Sequence, residues 1–150
     1  MGKIMHPYVY AAVIVILIAL IFRFWPVDSE PFHEDPAISD VRRSEVRLVA
    51  REAPRFNAEA FDVLEAFISI AKRDWGVSVV QGGVEEGMVT LVARSRLIGF
   101  RDYVTAKAVD EAGRAKLAVF ARPRMNVYDW GVNKKRLDRW LGELEQTFPE

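Results

Sequence analysis

A chain of 150 residues has room for one domain and a short appendage, so a second catalytic domain is excluded. Its 21 basic and 21 acidic side chains cancel, which argues against a domain that coats nucleic acid by bulk charge, because such domains carry a basic excess. There is no cysteine, and His6 and His33 are the two histidines. Disulfides, thiolate metal sites and cysteine nucleophiles are therefore excluded, histidine triads and histidine-rich metal sites lack material, and no metal or other cofactor is expected.

From Tyr8 to Trp25 the chain reads as one apolar run of 18 residues with Arg23 as its single charge. Tyr8 and Tyr10 stand at one end and Phe22, Phe24 and Trp25 at the other, where aromatic rings settle at a lipid headgroup level. The run predicts an uncleaved transmembrane anchor over residues 1–25 that contacts the lipid bilayer through Tyr8 to Trp25, close to the roughly 20 residues a spanning helix needs. The run ends in Arg-Phe-Trp-Pro-Val, which offers no small-residue cleavage site. Lys3 and the amino terminus before the run, against acidic residues after it, favour a single-pass protein with its domain on the extracytoplasmic side, periplasmic in a bacterium.

Residues 26–54 hold Pro26, Pro31, Pro36 and Pro54 among mixed charges with little apolar period, as in an extended linker. A globular domain is expected over residues 55–150. Its first helix runs from Asn57, a residue type suited to capping, towards Trp75, with Phe61, Leu64, Ile68 and Ala71 on one face and Gly76 at the end. Four strands follow at Val77 to Gln81, Met88 to Arg94, Tyr103 to Val109 and Lys116 to Ala121. Gly82-Gly83 with Glu85-Glu86, and Glu111-Ala112-Gly113, mark turns between them. Such short links demand antiparallel neighbours. A last helix from Asn133 to Phe148 places Leu137, Trp140 or Leu141, Leu144 and Phe148 on one face, with Asn133 suited to cap it. The expected fold is α+β: an N-terminal transmembrane helix, then a two-layer domain of a mainly antiparallel four-stranded sheet with two helices, in the order α-β-β-β-β-α.

Two segments look alike. Arg94-Ser95-Arg96 is followed by Arg101-Asp102, and Arg122-Pro123-Arg124 by Tyr128-Asp129. In a simple meander the second and fourth strands point the same way, so both arginine segments reach one end of the sheet, where the last helix also begins. The first turn of that helix carries Lys134, Lys135 and Arg136, at the end that already bears partial positive charge. Asp102 and Asp129 can offset this as ion pairs with Arg124 or Arg136. Alternatively, the cluster takes a bound anion. The candidate anion- or partner-binding residues are Arg94, Arg96, Arg122, Arg124, Asp129, Asn133, Lys134, Lys135 and Arg136.

The spacing Arg124, Asp129, Gly131, Asn133, Arg136 resembles the last motif of the domain of unknown function family 1499, and Arg94-Ser95 to Asp102 is similar to its earlier motif. The resemblance covers roughly Phe56 to Phe148, and Phe32-His33-Glu34-Asp35-Pro36 is similar to the family's upstream region. Phe120 departs from a usually basic position, Ala121 and Pro123 from serines, and Asn126 from a glycine. The resemblance implies no activity, substrate or cofactor. No catalytic residue is assigned. The expected function is binding of an envelope protein partner or an anionic envelope ligand at the basic end, with no nucleic acid involved. The alternative is an enzyme acting on a lipid- or cell-wall-linked substrate, with Asp102 or Asp129 as acid or base.

Overall fold

The computed structural model describes residues 6–26, 28–37, 46–49, 51–96, 99–124 and 131–149. In chain order these hold helix α1 (Pro7–Phe24), strands β1 (Val46–Leu48) and β2 (Arg55–Phe56), helix α2 (Ala60–Lys72), strands β3 (Val77–Gly83), β4 (Met88–Arg94), β5 (Arg101–Glu111) and β6 (Arg114–Pro123), and helix α3 (Val132–Thr147). The short links make β3 to β6 an antiparallel meander, and the sheet order is β1-β6-β5-β4-β3, with β2 also paired to β6. Among the described residues the sheet thus has six strands, not the expected four. The additional β1 and β2, at three and two residues, are too short for alternation to show in a sequence. Only their pairing with the long β6 defines them.

Successive strand residues point to opposite faces, so each strand feeds two surfaces. Val89 and Leu91 of β4, Val104 and Ala106 of β5, and Leu117 and Val119 of β6 face the helices. Against them pack Val63, Leu64 and Phe67 of α2 and Leu137, Trp140 and Leu144 of α3. The large side chains sit mainly on the helices and the small ones on the sheet, so the layers interdigitate. The stripe on α2 is rotated from the expected one: Phe61 is exposed, while Val63, Phe67 and Ile70 join Leu64 and Ala71 in the core. Both expected caps are also replaced. Glu59 precedes α2 without a side-chain cap bond, and the Ala60 N–H instead donates to Asp110 Oδ1 at 2.8 Å, from β5. Gly131 precedes α3 at φ 74°, a left-handed angle that costs glycine little. Asn133 lies buried inside the first turn.

The N-terminal expectation requires correction. Among the described residues no helix is long and apolar enough to cross a membrane. Helix α1 has 18 residues, a rise of about 27 Å, short of the roughly 30 Å of a hydrocarbon core. It opens on Pro7 and carries Arg23 in its last turn. That last turn is tied into the domain, because the Arg23 carbonyl accepts a bond from Arg101 at 3.3 Å. A Cβ on Gly99 would lie 3.2 Å from Arg23 Cα, so the approach is close.

The second sheet face is covered by a strap, residues 28–37. Its 3₁₀ turn Glu30–Phe32 lays the Phe32 ring flat on Tyr103, with centroids 3.9 Å apart and planes 6° off parallel. Thr105 donates its hydroxyl proton to the Phe32 carbonyl at 2.6 Å. The bond of 3.0 Å between Thr90 and Thr105 therefore has Thr90 as donor, and the 2.8 Å contact from His33 Nδ1 to Thr90 has His33 as donor. This chain fixes a protonated Nδ1 on His33. Lys107 pairs with Asp35 in the same layer. Burial raises the Asp35 carboxyl, but bonds from Lys107 and the Ala37 N–H outweigh it and hold the group below its ordinary value.

Gly82, at φ +69°, lies under the strap: a Cβ there would stand 2.2 Å from the Met88 carbonyl oxygen and 2.8 Å from His33 Cε1. Gly82→Ala is expected to cost about 1–3 kcal/mol through backbone strain and strap displacement. Urea unfolding of the two proteins measures this. An unchanged midpoint would show that the strap does not press on β3.

Candidate functional site

Antiparallel register brings the two arginine segments together. Arg94 is paired with Arg101 across β4 and β5, and the Arg124 N–H donates to the Arg101 carbonyl at 3.0 Å. Strand parity places all three side chains on the strap face, since Arg94 shares parity with Thr90, Arg101 with Tyr103, and Arg124 with Arg122. Arg101 is 5% exposed. Its Nη1 and the Nη1 of Arg124 donate to one and the same oxygen, the Pro26 carbonyl, at 3.0 and 3.1 Å. Burial first, then the charges of Arg94 and Arg124, push the Arg101 guanidinium below its ordinary value.

Arg122, one pleat further in, serves the strap. It is 8% exposed, donates to the Phe32 carbonyl and reaches Glu34 at 3.2 Å. Its guanidinium stacks 4.5 Å from the Phe120 ring centroid and 5.3 Å from that of Phe32.

Arg94 and the remaining cations surround an open groove of about 400 Å³ at the same end of the sheet, where β4 meets α3. Arg94, Arg96, Lys135, Arg136 and Arg139 line it, with Trp75 as its aromatic wall and Asp74 as its single acid. Lys135, Arg136 and Arg139 reach it together because residues three and four apart share a helix face. Arg136 is engaged internally, by Asp102 at 3.2 Å and by Asn133 Oδ1 at 2.6 Å. Arg139 makes a two-pronged pair with Asp74, at 2.7 and 2.6 Å. Those bonds, the Arg139 one foremost, keep the Asp74 carboxyl below its ordinary value against the opposing effect of burial. Lys134 pairs with Asp138 at 2.7 Å. No described carboxylate pairs with Arg94, Arg96 or Lys135. Arg96 lies 5.7 Å from the Trp75 ring centroid.

The structure therefore divides the predicted cluster. Arg94 stands at the junction of the strap-face row and the groove, Arg124 joins the row, Arg122 anchors the strap, and Arg96, Lys135 and Arg136 join the groove. Asn133 supports Arg136, and Lys134 is paired on the helix surface. Asp129 lies outside the described residues. Sequence reading passed over Arg101 and Arg139. Arg139 stands four residues after Lys135 and three after Arg136, so helical spacing alone could have added it. Arg101 needed the strand register.

The catalytic alternative meets the same geometry. The Asp102 carboxylate is engaged by Arg136 at 3.2 Å, an ion-pairing role.

No curated protein matches the chain. A family model described as "Protein of unknown function (DUF1499)" matches residues 33–144, from the strap through most of α3. With well over half of its length matched by that model, this chain belongs to the domain of unknown function family 1499.

Proposed function

We propose that this protein is a binding module for a small anionic ligand, taken up in the groove between β4 and α3. The observation that carries this reading is the convergence of Arg94, Arg96 and Lys135, none paired with a described carboxylate, on one groove beside exposed Trp75. Like charges gathered without counterions repel one another, and an anion relieves that repulsion while accepting charge-assisted hydrogen bonds. Helix α3 adds to the attraction, since its N-terminal N–H groups carry partial positive charge. Arg136 and Arg139 are already held by Asp102 and Asp74 and so present a fixed wall. The indole of Trp75 offers a flat apolar surface for the uncharged part of the ligand, with Arg96 beside it.

Thermal unfolding of the full chain with phosphate, sulfate or a sugar acid tests this. A ligand that binds the folded state alone raises its stability by about 2.7 kcal/mol at a hundred times its dissociation constant. The double variant Arg96→Ala, Lys135→Ala is expected to lose most of that shift while unfolding within about 0.5 kcal/mol of wild type without ligand, because both residues are exposed. No stabilisation of the wild type by any of these anions, or an equal one in the double variant, would refute the groove as the site.

A further inference from the structure

A second site is built on the strap face of the sheet, sharing Arg94 with the rim of the groove. Arg94, Arg101 and Arg124 occupy adjacent strand positions on the strap face, where neighbouring side chains lie about 5 Å apart at their Cβ atoms and like charges destabilise the sheet. None of the three is ion-paired to a described carboxylate. Two of them spend donors on the single Pro26 carbonyl oxygen, and Arg101 gives another to the Arg23 carbonyl at 3.3 Å. A neutral carbonyl oxygen held by two guanidinium groups occupies the position that an oxyanion would fill with stronger bonds.

Two buried groups beside it point to a ligand. Among the described residues neither the buried Tyr103 hydroxyl nor the buried Nε of Arg101 has a hydrogen-bond partner. A buried donor left unpaired costs free energy, so such groups call for an explanation. Tyr103 stands two residues from Arg101 on the same face of β5, beside the arginine row. Burial, the dominant effect, pushes the phenol up, so it stays a proton donor. Asp28 also acts on this phenol, yet it is exposed and forms no ion pair with the row among the described residues.

We propose that Arg94, Arg101, Arg124 and the Tyr103 hydroxyl form an oxyanion-binding site, for a phosphate or carboxylate group, in which the Pro26 carbonyl is a resident stand-in that the ligand replaces. The strap thus closes its own site, and the incoming oxyanion competes with the chain for the guanidinium donors.

The test is calorimetric titration of inorganic phosphate, and separately of galacturonate, into the full chain carrying Arg96→Ala and Lys135→Ala, at matched ionic strength. These substitutions remove the two groove cations that neither a described carboxylate nor the row engages, and leave the row intact. Binding of either anion is expected to persist; phosphate alone identifies a phosphate site, and galacturonate alone a carboxylate site. Adding Tyr103→Phe keeps the ring stacked on Phe32 and removes a hydroxyl that has no partner among the described residues, so folding should be unaffected. Affinity should nevertheless fall about tenfold, the effect of one charge-assisted hydrogen bond. Arg124→Gln, at a half-buried position, is expected to weaken binding by at least as much and serves as a second variant. Absence of binding by both anions to the groove-disabled chain would overturn the proposal whatever the groove does. So would binding that Tyr103→Phe leaves unchanged.

Discussion

Trp140→Ala is expected to lower the unfolding free energy by about 3–5 kcal/mol, the range for deleting a large aromatic side chain from a close-packed core. Trp140 is fully buried and meets Phe67 edge to face, with ring centroids 5.8 Å apart. Its indole N–H donates to Asp74 Oδ2 at 3.0 Å, so the same side chain fills the core and orients the carboxylate that fixes Arg139 in the groove. Chemical unfolding monitored by circular dichroism measures the loss. Trp140→Phe should recover most of the packing and cost about 1–2 kcal/mol for the missing bond and volume. A loss under about 1 kcal/mol for the alanine variant would be incompatible with a close-packed site.

The Asp74 network also fixes a pH dependence. Bonds from Arg139 and Trp140 depress the folded-state carboxyl. Such a group adds stability above its unfolded value of about 3.9 and loses that contribution as pH falls through the lower folded value. Asp74→Asn should therefore flatten the acid limb of the stability curve below about pH 5 and leave its shape near neutrality unchanged.

Arg122→Ala is expected to cost about 2–3 kcal/mol and to loosen the strap. The guanidinium is nearly inaccessible and is shared between the strap carbonyls of Phe32 and Pro31, Glu34 and two aromatic rings. Glu34 is 56% exposed at its side chain, so it remains hydrated when its partner is removed and the penalty of a stranded buried charge does not arise. Hydrogen exchange provides the second readout: the Phe32 and His33 amides, which bond within the turn, should exchange faster in the variant. Arg122→Lys should restore little, because an ammonium cannot form the planar fork or stack on both rings. Stability and exchange both equal to wild type would show that the strap is held by other contacts.

Much of the domain is legible in the sequence for local reasons. The apolar repeat of α3, including buried Trp140, and the short links of the β3 to β6 meander follow from periods of 3.6 and 2 and from the reach of a turn. That both arginine segments arrive at one end of the sheet follows from counting strand directions, and the register agrees. Other features have no local signature. The Ala60 N–H finds its acceptor on Asp110, fifty positions away. Phe32 and His33 lie in a segment without apolar period, yet one stacks on Tyr103 and the other closes a hydroxyl chain through Thr90 and Thr105.

By itself the sequence determined the inventory, the domain's α+β class, the family resemblance and the concentration of cations near two strand ends. Only the tertiary structure decided which of those cations are paired. Arg122, Arg136 and Arg139 find acceptors 88, 34 and 65 residues away in the chain, whereas Arg94, Arg96 and Lys135 meet no described carboxylate. The physical reason is range. Secondary structure is encoded by neighbours within a few positions, while a charge pair depends on a separation of about 4 Å between groups that only the packed layers bring together.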